Sequence, residues 1–130
     1  MKTFKKTLGI VLAMAMIVGA TNVSVFAASS SKKVTGYGTL YGSLNKSGEY
    51  TTKVSKNTDK AILTIGGVIQ DKNGKNIKNQ QTLKSGRGVT TYHGYWTSLP
   101  AKTYAIYGSH GVQNGTKYKD GVVYTVTHVK

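Results

Sequence analysis

The chain has 130 residues, with 18 Lys and Arg against 4 Asp and Glu, no Cys, one Pro and 16 Gly, for a formal net charge of +14 at pH 7. That length holds one small domain. The composition excludes a disulfide-stapled miniprotein, which needs cysteines, and leaves little material for acid/base catalysis built on paired carboxylates.

Lys2, Lys5 and Lys6 precede an uncharged apolar run from Leu8 to Ala20, and polar Thr21-Asn22-Val23-Ser24 leads into Val25-Phe26-Ala27. This is the pattern of a secretory signal peptide, residues 1–27, cleaved after Ala27. The apolar run is well short of the roughly 20 residues that a helix needs to span a bilayer. No second such run follows, so no transmembrane segment is expected in the mature chain. Cleavage removes all three Met and both Phe, leaving nine Tyr and Trp96 as the aromatic set, and lowers the charge from +14 to +11. An exported chain without cysteines, sorting motif or lipobox reads as a bacterial protein, secreted and extracellular or loosely cell-wall associated.

Residues 28–33 are Ser- and Lys-rich and read as a flexible leader, with a single β domain over 34–130. From Val34 to Leu44 the residues alternate, placing Thr35, Tyr37, Thr39, Tyr41 and Ser43 opposite Val34, Leu40 and Leu44; that is strand chemistry. Asn45-Lys46-Ser47-Gly48 is a turn signal, and Glu49 to Lys56 returns to form a hairpin. Ala61 to Ile69, apolar on both faces, reads as the central buried strand. Asp71-Lys72-Asn73-Gly74 marks another turn, followed by a polar strand or loop from Lys75 to Ser85 that Gly86-Arg87-Gly88 breaks. Val89 to Trp96 alternates again, with Thr91, His93 and Tyr95 opposite Tyr92 and Trp96. Thr103 to Ser109 is a strand, Gly111 to Gly121 a loop carrying Lys117-Tyr118-Lys119, and Val122 to Val129 the last strand. The sum is an all-β protein, an antiparallel β-sandwich or small barrel of about seven strands.

Little here resembles a catalytic or metal centre. His93, His110 and His128 fall in or at the end of strands but show no H-x-H spacing or Cys partner. Asp71-x-Asn73-x-x-Asn76 lacks the terminal Glu of a calcium loop and reads as a hairpin turn. Ser109, His110 or His128, and Asp120 supply the residue types of a triad without the G-x-S-x-G turn. The expectation is a non-enzymatic protein with no cofactor and no metal.

What remains is Lys combined with aromatic rings. Tyr92, Tyr95 and Trp96 share one strand, and Lys117, Tyr118 and Lys119 share one loop; these six are the candidate ligand-binding residues. The aromatics can equally supply the core of a chain with no mature Phe or Met. Apart from Arg87 every mature cation is Lys, a mobile point charge rather than the planar fork that reads base edges. The expected partner is therefore not nucleic acid but an anionic polysaccharide, teichoic acid or another cell-envelope target, with attraction weakened by salt.

The signal peptide, Gly36-Tyr37-Gly38 near the mature N-terminus, and Val54-Ser55-Lys56-Asn57-Thr58 followed by Lys60 resemble the layout of lactococcin-type secreted bacteriocins. The resemblance implies a small cysteine-free β-protein acting on the Gram-positive cell envelope. It covers a short part of the mature chain, which departs from that pattern by running on through His110-Gly111-Val112-Gln113 and a further strand to Val129. No functional residue carries over from it. Two functions thus stand as expectations: a cell-envelope or matrix binding protein, and a bacteriocin-like antibacterial protein.

Overall fold

Strand residues point alternately to the two sides of a sheet, and this alternation organises the described residues. The computed structural model describes residues 29–129; the predicted signal peptide lies outside them. Among the described residues there are eight strands: β1 (Ser29–Val34), β2 (Gly38–Leu44), β3 (Glu49–Val54), β4 (Ile62–Gln70), β5 (Asn76–Arg87), β6 (Thr91–Tyr95), β7 (Ala105–Gln113) and β8 (Gly121–His128). They form two four-stranded sheets, ordered β1-β2-β3-β6 and β5-β4-β7-β8, and all neighbours are antiparallel. The sheets stack, with β8 against β1 and β2, and β7 against β2 and β3. The sandwich, not the closed barrel, is the form taken. Among the described residues no helix is long and apolar enough to cross a membrane.

The turns follow their predicted chemistry. Asn45 Oδ1 accepts the backbone N–H groups of Ser47 and Glu49, and Asp71 Oδ1 accepts those of Asn73 and Lys75. Strand β4 is central in its sheet and buried almost throughout, as its two-sided apolar run requires.

Four expectations need correction. Ser29–Lys33, read as a leader outside the fold, is most of strand β1 and pairs with β2 from Ser29↔Ser43 to Val34↔Gly38. The ladder supplies partners that the Ser/Lys composition does not advertise, and this raises the strand count from about seven to eight. Tyr37, placed on the Thr39 and Tyr41 face, sits in the β1–β2 turn and is wholly buried. Gly86-Arg87 continues β5 instead of ending it, because Arg87 pairs with Ile62. Strand β7 runs through Gly111 to Gln113, paired on both sides by β4 and β8, so the loop is confined to 114–120.

The core has two apolar clusters. One gathers Tyr37, Leu40, Val54, Ala61, Leu63, Val112 and Val123, the other Leu44, Tyr50, Ile65, Ile69, Trp96 and Ile106. Between them the inward positions carry Gly42 on β2, Thr52 on β3, His110 on β7 and Thr125 on β8, a polar layer within the sandwich. Thr52 Oγ1 donates its single hydrogen to the Thr64 carbonyl at 2.9 Å. It can therefore only accept from His110 Nδ1, 3.1 Å away. His110 is thus the Nδ1–H tautomer, and its Nε2 accepts from Thr125 Oγ1 at 2.8 Å. Gly42 is required opposite, since a Cβ there would collide with the imidazole. Beside this layer Trp96 Nε1 donates to Tyr50 Oη and Tyr50 Oη donates to the Tyr107 carbonyl, both at 2.9 Å.

Burial pushes the His110 imidazole from 6.5 down to about 4, and a backbone hydrogen bond at Thr51 offsets only part of this. Above about pH 6.5 neither state carries charge at His110; as pH falls toward 4, the unfolded chain takes up a proton that the folded chain refuses. Stability is expected to fall by about 3 kcal/mol across that window. Urea denaturation at stepped pH checks this, and His110→Gln should flatten the slope.

Candidate functional site

At one end of the sandwich the β7–β8 loop, residues 114–120, is tied down by a carboxylate from a distant part of the chain. Asp59, in the β3–β4 connection, accepts Tyr37 Oη on Oδ2 at 2.7 Å, the Lys117 N–H on Oδ1 at 2.8 Å and the Tyr118 N–H on Oδ2 at 3.1 Å. Its backbone carbonyl takes the Thr116 N–H at 3.0 Å. Gly115 must lack a side chain, because a Cβ would run into the Asp59 carboxylate and the Tyr37 hydroxyl.

Burial raises the Asp59 carboxyl. The hydrogen bonds from Tyr37, Tyr118 and Lys117, together with the Lys117 charge, outweigh that and hold it below the ordinary carboxylate value. The Tyr37 phenol is pushed up by its own burial and by the neighbouring carboxylate, so it remains a donor.

The rest of the loop is held as firmly. Asn114, in the left-handed region with φ 57°, donates its N–H to Asp120 Oδ1 at 3.0 Å. Arg87 Nη1 reaches the carbonyls of Lys60 at 3.0 Å and Asn114 at 2.6 Å. Arg87, the one arginine in the sequence, is therefore a clasp between two loops. Tyr118 lies edge-on to Tyr37 with ring centroids 6.0 Å apart, over Gly36. Gly36 has φ +89° and no space for a Cβ beneath that ring.

With the loop set, the exposed residues Lys117 and Lys119 come beside Lys32 and Lys33 of β1, neighbours whose side chains project to opposite faces of that strand. Together with Tyr118 they line a groove of about 450 Å³. Lys117 Nζ is 5.6 Å from the Tyr118 ring centroid, a cation–π distance. Asp120 is the single acid in the lining.

The six predicted site residues thus divide. Lys117, Tyr118 and Lys119 do meet in one groove. Tyr92, Tyr95 and Trp96 do not form a cluster: Tyr92 points inward between the two apolar clusters, and Tyr95 points outward, 67% exposed. Trp96, just past β6, donates its backbone N–H to the Gly48 carbonyl and turns its ring into the core. Alternation separates residues three apart in sequence onto opposite faces. Lys32, Lys33 and Asp59 were missed. The lysines lay in the supposed leader, and no spacing rule connects Asp59 to a loop 58 residues away.

The other candidates are also dispersed. His93 is on the outer face of its sheet, His110 is in the core, and His128 packs edge-on against Tyr104 at 5.1 Å. Ser109 and His110 are adjacent on β7 and so project to opposite faces. Both ring nitrogens of His110 are engaged by threonines. The triad residue types are therefore not assembled.

Replacing Asp59 with Asn removes the paired acceptor and should speed amide exchange at Lys117 and Tyr118 about tenfold, leaving β4 and β7 protected. Residue-resolved hydrogen exchange reads this directly. Acid should act the same way, because a carboxylate held below its ordinary value contributes stability that is lost as pH falls through that depressed value.

No family model, no curated protein and no solved structure matches this chain, and what the groove can hold is set by its own chemistry.

Proposed function

We propose that the protein is a secreted, non-enzymatic binding module that holds an anionic cell-envelope or matrix polymer in the groove formed by Lys32, Lys33, Lys117 and Lys119. The supporting observation is how the charges are used. Each of the 4 acidic side chains accepts hydrogen bonds within the scaffold: Glu49 from Asn45, Asp59 from the Tyr37 hydroxyl and loop amides, Asp71 from turn amides and Asp120 from Asn114. Lysines outnumber the single acid in the groove four to one, so the site keeps a surplus of positive charge.

Lysine ammonium groups on flexible stems suit a polymer whose phosphates or carboxylates recur at variable spacing; a rigid fork would demand one geometry. The Tyr118 ring adds an apolar floor on which a polyol or sugar backbone can rest.

Titration with poly(glycerol phosphate) at low and high NaCl tests this reading. The paired change Lys117→Ala and Lys119→Ala should weaken binding about tenfold at low salt and reduce its salt dependence. Changing Lys72 and Lys75 to Ala, in a turn about 27 Å away along the strands, should have little effect. Equal losses from both pairs, or no binding at low salt, would refute a groove-specific site.

A further inference from the structure

The outer face of the first sheet carries a second depression, of about 580 Å³, whose chemistry differs from that of the lysine groove. Strand register sets its content. Ser29 pairs with Ser43, Ser43 with Thr51 and Thr51 with His93, so one outward row crosses all four strands with a hydrogen-bonding side chain at every position. Thr51 Oγ1 and His93 Nδ1 are 3.0 Å apart.

Aromatic rings flank this row diagonally. Tyr41, 38% exposed, is on β2, and Tyr95, 67% exposed, is on β6. Tyr41 pairs with Lys53 and Tyr95 with Glu49, so the two positions are two strands and four residues apart, about 17 Å by sheet spacing. At the Tyr95 end Glu49 is held by Asn45 Nδ2 at 2.6 Å. Among the described lining residues there is no Lys or Arg, and the one full charge is this carboxylate. On a chain of net charge +14, a depression without cations is a departure from the average surface.

We infer that this face binds a neutral, β-linked oligosaccharide, with pyranose rings stacked on Tyr41 and Tyr95 and sugar hydroxyls bonded to Ser43, Thr51, His93 and Glu49. A polyanion would meet Glu49 and no cation within the depression, since Lys53, paired with Tyr41, is outside its lining. An apolar peptide or acyl chain would strand the hydroxyl row without partners, at the cost of desolvating it. An extended sugar chain meets both requirements, since its ring faces are apolar and its edges are hydroxyls. The open depression, whose row of polar side chains crosses four strands, suits an extended β-linked chain longer than one residue. This inference does not rest on the lysine groove.

Calorimetric titration with cellotetraose and with chitotetraose in 1 M NaCl tests it, the salt suppressing the lysine site. Binding of either tetraose is expected, and the N-acetyl group that distinguishes them shows which sugar the face prefers. Tyr41→Ala and Tyr95→Ala should each weaken binding about tenfold with unchanged melting temperature, because both rings are exposed. The Lys117→Ala and Lys119→Ala pair should bind the tetraose as the parent does. Failure of both tetraoses to bind would overturn the inference, as would unchanged affinity in the two tyrosine variants or loss of binding in the lysine pair.

Discussion

The two sheets meet through a layer that is not apolar. A sandwich of this size would ordinarily be filled by branched and aromatic side chains, yet Gly42, Thr52, His110 and Thr125 occupy matching inward positions on four strands. The layer is stable because every hydrogen-bonding atom in it is used: Thr52 must donate to the Thr64 carbonyl, which forces His110 to donate from Nδ1 and accept on Nε2. That order of donors works only for a neutral imidazole in one tautomer. It also works only if β2 presents no side chain opposite, which is why Gly42 faces the ring. The register of four strands is thereby coupled at one point, since a slip of one residue in any of them would turn its member of the layer to the outside.

Outside the core the same logic recurs with a charge. Asp59 does for the loop at 114–120 what the threonines do for His110, taking donors from Tyr37, Lys117 and Tyr118 that would otherwise face poor partners. Its consequence is electrostatic. A chain with so few acids commits them to holding loops and turns, and its lysines are left largely uncompensated. The rigidity of the loop and the positive potential of the groove therefore share one cause. The depression around Thr51 differs because alternation places hydroxyls, His93 and two tyrosines in its lining and leaves Lys53 outside it.

Much of this architecture was legible in the chain. The β2–β3 hairpin, the Asp71 turn, the buried strand around Ile65 and the last strand each have a local signature: alternation, a Gly with positive φ, or an unbroken apolar run. The missed strand β1 has none, because Ser and Lys are poor strand formers and pair here only because β2 offers an edge. The site was legible in part. Lys117-Tyr118-Lys119 announced itself by local density, whereas Tyr92, Tyr95 and Trp96 share one stretch of chain whose alternation already sets Tyr95 opposite the other two.

Sequence alone determined the fold class, the turns at Asn45 and Asp71 and the excess of lysine, because all three rest on local periodicity and composition. Which lysines converge, which tyrosines face solvent and what His110 bonds to were decided by tertiary structure. Those outcomes depend on cross-strand register and on contacts such as Asp59 with Lys117, between residues far apart in the chain, and no local pattern encodes the distance that folding closes between them.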